Sequence, residues 1–430
     1  MDLIILGVSF FIFVGVGVPI AFALGLSSLV MCVKLGVPVT NLVNNTFHGI
    51  NSFVLLAVPF FLIAGSLMNV GGVTERLTTL SQSLVGHIRG GLGHVTVLVC
   101  MIFAGLSGSA AAETAGVGSV LIPAMLQKGF DKPYTVAITA TASTIGVIIP
   151  PSIPMVLYGA FGEVSIGALF LGGVIPGILV GLSQMVVTAI YARRRNYPAY
   201  PRASLQDAIR AIRRALLPLG MPVLIIGGIV GGIFTPTEAS VVALVYGLII
   251  TGLIYREPQV ALSRLPSLLG DAAIFYALPL ICVATSGAFG WFIAYLEGPQ
   301  IIVDFVKQYA LGYYGIYACI VVLLLILGTF LSPIVIIMVF LPVVQGLGDL
   351  VNIQPVHLGV ITVMVTAIGM VTPPYGMCLF IASGLADFPI LKSIGDVLIL
   401  IAAFLVVVTL CIVFPGLILF LPRILMPAAM

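Results

Sequence analysis

One pattern, written twice, constrains this 430-residue chain more than any other. Residues Ser107 to Pro151 hold a small-residue turn (Ser107-Gly108-Ser109-Ala110), an apolar return to Pro123, and then Gly146-Val147-Ile148-Ile149-Pro150-Pro151. The order comes back 223 residues later: Ser332 answers Ser109, Gly369 answers Gly146, and Pro373-Pro374 answer Pro150-Pro151, with Thr366 against Ser143 as a near match. Upstream, Ala57-Val58-Pro59-Phe60 and Ser66 are answered by Ala277-Leu278-Pro279-Leu280 and Ser286 at an offset of 220. Interrupted apolar segments at matching places in two halves are the sequence pointer to a transporter's binding site. The repeat predicts a membrane carrier built from two related halves.

Composition sets the solvent. Hydrophobic residues make up 61% of the chain and charged ones 7%, with a mean hydropathy of +1.27; a soluble domain carries roughly 25% charged residues. The apolar runs are continuous and helix-length, which excludes a β-barrel of alternating ten-residue strands. A net charge of +3 is too small to imply nucleic acid. The six cysteines stand singly in apolar runs and suggest neither a disulfide framework nor a metal site. The N-terminus lacks a basic region or a cleavage site and reads as a retained first span.

The expected fold is an all-α polytopic membrane protein of two inverted repeats, each with a re-entrant helical hairpin and a broken transmembrane helix. Residues 1–192 form the first repeat, with scaffold helices over 3–68, a hairpin over 94–126 and a broken helix over 133–162. Residues 193–216 are a basic linker helix. Residues 217–430 form the second repeat, with scaffold helices over 217–254, a hairpin over 312–347 and a broken helix over 357–386. Smaller units are expected as well: an amphipathic surface helix over 69–93, a span over 271–290, a surface helix over 296–309 and a last span over 395–421. A Pro-Pro pair supplies no amide donors and clashes with the preceding turn, so each helix must break there and leave carbonyls unpaired. At membrane depth such carbonyls survive only where they line a cavity or bind something.

The distribution of positive charge tests this layout. Residues Arg193 to Arg214 hold seven of the 17 Lys and Arg. Placing that linker in the cytoplasm puts Arg76, Arg89, Lys128, Lys132, Arg256, Arg264 and Lys392 inside too, and only Lys34, Lys307 and Arg423 outside. The first hairpin then enters from the cytoplasm, the second from the opposite side, and both termini lie outside.

Two tips and two breaks near the midplane offer helix N-termini to an anion and carbonyls to a cation. Sodium is a hard cation that takes oxygen ligands, as calcium and magnesium do. One ion is expected among Ser107, Ser109 and the carbonyls near Gly146 and Ile149, and a second among Gly328, Thr329, Ser332, Gly369 and Thr372. Substrate is expected at Ser109, Pro150, Pro151, Ser332, Pro373 and Pro374. The plainer alternative is that these small residues only let helices approach closely.

Six stretches, Gly17-Val18-Pro19-Ile20-Ala21, Val58-Pro59-Phe60-Phe61, Ser107-Gly108-Ser109, Pro150-Pro151-Ser152, Gly232-Ile233-Phe234-Thr235-Pro236-Thr237-Glu238-Ala239 and Gly369-Met370-Val371-Thr372-Pro373-Pro374-Tyr375-Gly376, together make the chain resemble the large membrane subunit of the tripartite ATP-independent periplasmic (TRAP) transporters over essentially its whole length. The resemblance implies sodium-coupled uptake of an organic acid by an elevator motion in the bacterial inner membrane. It implies two separate partners, a small four-span membrane subunit and a soluble periplasmic binding protein. Many relatives associated with dicarboxylates carry aspartate where this chain has Ser332, which tilts the expected substrate toward a sugar acid such as sialic acid, with a C4-dicarboxylate as the alternative.

Glu113 and Glu238 are the carboxylates expected at membrane depth, where such groups are functional by default. Glu113 is assigned to holding its hairpin by hydrogen bonds, with attraction of the ion as the other role. Glu238 follows Thr235-Pro236-Thr237 and reads as a helix cap. Trp291, Tyr313 and Tyr314 fit an aromatic belt. Gly105-Leu106-Ser107-Gly108 matches an intramembrane serine-protease pattern, which needs a histidine within reach of the serine. Broken helices in inverted pairs suit alternating access better than an open channel, and with no Walker motif the chain by itself is no ATP-driven pump.

Overall fold

The computed structural model describes residues 1–257, 260, 265–374 and 376–429. Arg264 and Tyr375 lie outside the described residues, as do the side chains of Leu278 and Pro279.

Twenty α-helices run through the described residues. The first half contains α1 (Asp2–Gly15), α2 (Ile20–Leu35), α3 (Val39–Ile50), α4 (Ala57–Val70), α5 (Val73–Val85), α6 (Gly91–Ser107), α7 (Ala110–Gln127), α8 (Lys132–Ser143), α9 (Ile153–Gly162) and α10 (Ile166–Arg194). The second contains α11 (Leu205–Val230), α12 (Pro236–Leu248), α13 (Leu265–Tyr295), α14 (Gly298–Lys307), α15 (Tyr313–Gly328), α16 (Pro333–Asp349), α17 (Pro355–Gly369), α18 (Met377–Ala386), α19 (Ile394–Val413) and α20 (Gly416–Leu425). The two hairpins are α6–α7 and α15–α16; the two broken helices are α8–α9 and α17–α18. Among the described residues five helical segments are long and apolar enough to cross a bilayer, Phe53–Val70, Ile166–Arg194, Leu205–Val230, Pro236–Ile254 and Ile390–Val413, and a sixth forms if the bent pair Leu280–Tyr295 and Gly298–Lys307 counts as one span. The hairpin helices run 16 to 18 residues, at the lower limit for crossing a bilayer, as suits re-entrant segments.

The repeats interlock. The return helix of the first hairpin, α7, packs on α18, and the return helix of the second, α16, packs on α9. Each hairpin therefore leans on the far half of the other repeat's broken helix. Lipid offers no hydrophobic drive between helices, so close approach depends on small residues. Gly49 of α3 meets α13 in this way: a Cβ built on it would lie 3.2 Å from the Gly287 Cα.

Three expectations change. The linker helix and the following span are one continuous helix, α11, because Pro218 and Pro222 are accommodated inside it. The last span stops at Val413, and the chain restarts after Pro415 as the short amphipathic α20 packed on α10. Helix α3, which follows Pro38, was not expected; its mix of Asn, Thr and His hides an amphipathic helix docked on α13. The Glu238 cap stands as a complete capping box, with the Glu238 carboxylate accepting from the Thr235 amide at 2.8 Å.

One ionic cluster ties the end of α10 to both neighbours. Arg195 donates to Asp131 before α8 at 3.0 Å and to Asp396 of α19 at 2.6 Å, while Tyr197 donates to Asp131 and Tyr191 to Asp396. Asp396 is 8% exposed, so removing its cation strands a buried carboxylate. Arg195→Met is expected to cost about 2 kcal/mol, less than a fully buried pair because Arg195 is one-third exposed. A thermal midpoint in detergent several degrees below wild type checks this; an unchanged midpoint refutes it.

Candidate functional site at the two tips and breaks

The first tip forms where α6 stops at Gly108, whose φ of +63° suits glycine. Ser109 caps α7, accepting from the Ala112 amide at 3.4 Å, and the Ser107 hydroxyl accepts from the Ser109 amide at 3.5 Å. The tip is pressed onto its own break. The Ile153 amide donates to the Gly108 carbonyl at 3.4 Å, and a Cβ on Gly108 would lie 2.8 Å from the Pro151 oxygen. Ser107, Ser109, Pro150 and Pro151 are thus brought together.

The first break is more satisfied than its sequence suggests. After α8 the chain tightens into a 3₁₀ turn, Thr144–Val147. The Ile145 carbonyl accepts from the amides of Ile148 and Ile149 at 2.9 and 3.0 Å, and the Val147 carbonyl accepts from the Ser152 hydroxyl at 2.5 Å. Ser152 also caps α9, accepting from the Met155 amide. The expectation that the Pro-Pro pair leaves the preceding carbonyls unpaired therefore fails for Val147, whose helical partner would be the amide that Pro151 lacks: the Ser152 hydroxyl takes its place. Ile149 packs its side chain on Gly177 of α10, so only its backbone is available to the break.

In the second repeat the approach is backbone to backbone. A Cβ built on Gly369 would lie 2.6 Å from the Gly328 Cα, so the end of α15 rests directly on the end of α17. Thr329 donates to the Ile326 carbonyl at 2.7 Å and Thr372 to the Ile368 carbonyl at 2.8 Å. A hydroxyl whose proton is committed to a carbonyl presents lone pairs outward, as a cation ligand must. Ser332 caps α16, accepting from the Val335 amide at 3.5 Å. The Gly369 carbonyl accepts from the Thr372 amide at 3.1 Å. Both Pro-Pro bonds, Pro150-Pro151 and Pro373-Pro374, are cis.

The halves join through α7 on α18, α9 on α16 and the first 3₁₀ turn on α17. Short helices starting at Ala110, Ile153, Pro333 and Met377 begin at the tips and breaks, so unpaired amides and positive helix ends lie beside carbonyls and hydroxyls. That combination suits an anion and a cation together.

Glu113 departs from its expected role. It is fully buried, and neither carboxylate oxygen has an N–H or O–H partner among the described residues, so apart from the weak Cys100 thiol nearby nothing lets it hold the hairpin by hydrogen bonds. Its position against Gly146 was invisible in the sequence, since nothing in the spacing links the two. The protease pattern finds no base among the described residues, where the Ser107 hydroxyl is bonded only to the Ser109 amide: His94 precedes Ser107 by thirteen residues on one helix, about 20 Å along the axis. The His357 ring is committed to the Tyr317 hydroxyl and the Cys411 carbonyl.

Comparison with known proteins agrees with this architecture. Residues 7–417 match the family model described as the tripartite ATP-independent periplasmic transporter, DctM component. The chain is 39% identical to the C4-dicarboxylate TRAP transporter large permease protein DctM of Pseudomonas aeruginosa, over 86% of this chain and 87% of that protein. It is 36% identical to the sialic acid TRAP transporter large permease protein SiaM of Vibrio cholerae, over 95% of each. The crystal structure of the Alcanivorax borkumensis YdaH transporter superposes with a TM-score of 0.62 at 16% identity, covering 88% of this chain and 87% of that one, and so shares its fold. Proteins of the matching family are transporter permeases and not enzymes. The chain belongs to the DctM component of the tripartite ATP-independent periplasmic transporters, as a large permease.

Proposed function

We propose that this permease carries out sodium-coupled uptake of an organic acid across the bacterial inner membrane, and that the acid is a sialic acid or a similar sugar acid. The observation that carries the reading is the pairing of each hairpin tip with a broken helix, Gly108 on Pro151 and Gly328 on Gly369. Sodium sits at each pair, one ion with Ser107, Ser109 and the backbone of Gly146 and Ile149, the other with Gly328, Thr329, Ser332, Gly369 and Thr372. The substrate carboxylate lies between the tips, facing Ser109, Ser332, Pro150, Pro151, Pro373 and Pro374 and the helix ends there. The hairpins and broken helices move as one transport domain against a scaffold that includes α1, α2, α11 and α12, in an elevator motion. A small four-span subunit docks on the scaffold, and a periplasmic binding protein delivers substrate to the side on which both termini lie.

Relatives named for sialic acid and for C4-dicarboxylates are about equally similar, so overall identity does not choose the substrate. Ser332 supports the sugar-acid reading: it caps α16 with a neutral hydroxyl, where the resemblance associates aspartate with dicarboxylate carriers. The test is uptake of radiolabelled sialic acid into proteoliposomes holding the permease and its small subunit, with sodium or potassium gradients, with and without binding protein. Uptake requiring both sodium and the binding protein is expected. Uptake of succinate instead, with its own binding protein, moves the substrate to C4-dicarboxylates; uptake needing neither sodium nor a binding protein overturns the reading.

A further inference from the structure

Glu113 stands in the first turn of α7 with no exposed surface and two carboxylate oxygens that meet no N–H or O–H donor among the described residues, only the weakly donating thiol of Cys100 standing near. Oε2 lies against Gly146, where a Cβ would come within 2.2 Å of it. Only glycine leaves that carboxylate its place, and the carboxylate is aimed at the 3₁₀ turn of the first break. The titratable groups coupled to it are the thiols of Cys100 on α6 and Cys378 on α18. A carboxylate left there alone would be an unpaired buried charge, and buried charges in proteins are paired or bind cations. Among the described residues the second repeat has nothing like it. At the repeat offset the matching residue is Ile336, and Gly369 faces the Gly328 backbone.

We propose that Glu113 is the anionic ligand of the first-half cation site, a carboxylate oxygen reaching a monovalent cation held at the 3₁₀ turn beside Gly146. The inference rests on the sodium-coupled reading above and extends it. The two ion sites are then unlike. The first carries a fixed negative charge and prefers small hard ions, sodium and lithium over potassium, while the second is built from neutral hydroxyls and carbonyls and binds more weakly.

The experiment is equilibrium binding of radioactive sodium to the full permease copurified with its small subunit, with lithium and potassium as competitors. Wild type is expected to show a tighter and a weaker class of sites. Glu113→Gln should weaken the tighter class at least tenfold and leave the weaker one. Gly146→Ala should do the same with the carboxylate still present, because the added Cβ displaces it. Thr372→Ala should weaken only the other class. If Glu113→Gln does not assemble with the small subunit, Gly146→Ala decides alone. Sodium binding identical to wild type in whichever of the two variants assembles overturns the inference and leaves sodium coupling standing. A wild type that binds no sodium removes the coupling and the inference together.

Discussion

Gly369→Ala will reduce the initial rate of uptake at least a hundredfold while the permease still reaches the membrane. The added Cβ would lie 2.6, 2.8 and 2.9 Å from the Cα, oxygen and carbonyl carbon of Gly328. All three are backbone atoms, so no rotamer change relieves the contact. Relief requires parting the ends of α15 and α17 by about an ångström, which costs about 1–3 kcal/mol of overpacking strain. A large helical protein tolerates that. The site does not, because a displacement of about 1 Å in a positioned constellation costs about a hundredfold, and this displacement separates Thr329 and Ser332 from Thr372. Gly328→Ala attacks the same contact from the other side, where its Cβ would meet the Gly369 Cα at 2.9 Å, and is expected to behave alike. Gly227→Ala in α11, with nothing within 4 Å of the new Cβ, should stay within about twofold of wild type. Initial rates in proteoliposomes at equal permease content check all three; near-normal uptake by Gly369→Ala refutes the backbone contact.

The sequence revealed these places because two signals coincided: a repeat at one offset, and proline pairs that a helix cannot absorb. Ser109 against Ser332 and Gly146 against Gly369 could be read directly. How each break satisfies itself could not. The Val147 carbonyl is taken by Ser152, a bond that depends on the chain turning back through a 3₁₀ turn. Pro-Pro-Ser before an apolar run does carry the signal of an N-cap, and it was there to be used. Glu113 shows the opposite limit. Four residues after Ser109 it read as an acid holding its hairpin by hydrogen bonds, and only the tertiary approach of Gly146 reveals a buried carboxylate with no N–H or O–H donor among the described residues. The boundary between 216 and 217 failed for another reason. The change from a basic amphipathic stretch to an apolar span read as two elements, yet α11 runs through Pro218 and Pro222, since helices in and near the bilayer tolerate proline where neighbours and water satisfy the freed groups.

An engineered disulfide between positions 105 and 222 is expected to arrest uptake by more than tenfold. Gly105 lies on α6, inside the first hairpin, and Pro222 on α11, in the proposed scaffold. A Cβ built on Gly105 would be 3.0 Å from the Pro222 Cβ and 2.5 Å from its Cγ. Disulfides place their Cβ atoms about 3.5–4.5 Å apart, so replacing the proline ring by cysteine removes the tightest contact and leaves an adjustment of about half an ångström. If the hairpins and broken helices rise and fall against α11, this pair is together in only one stage of the cycle, and a covalent link holds the permease there. Gly105→Cys with Pro222→Cys should therefore transport after reduction, lose uptake on mild oxidation, and recover when reductant is added. Each single variant should be insensitive to the oxidant, which also controls for the six native thiols. A permease that is fully cross-linked by mass and still transports at the reduced rate would show that α6 and α11 never part, and the elevator motion would have to be abandoned for one that leaves this contact intact.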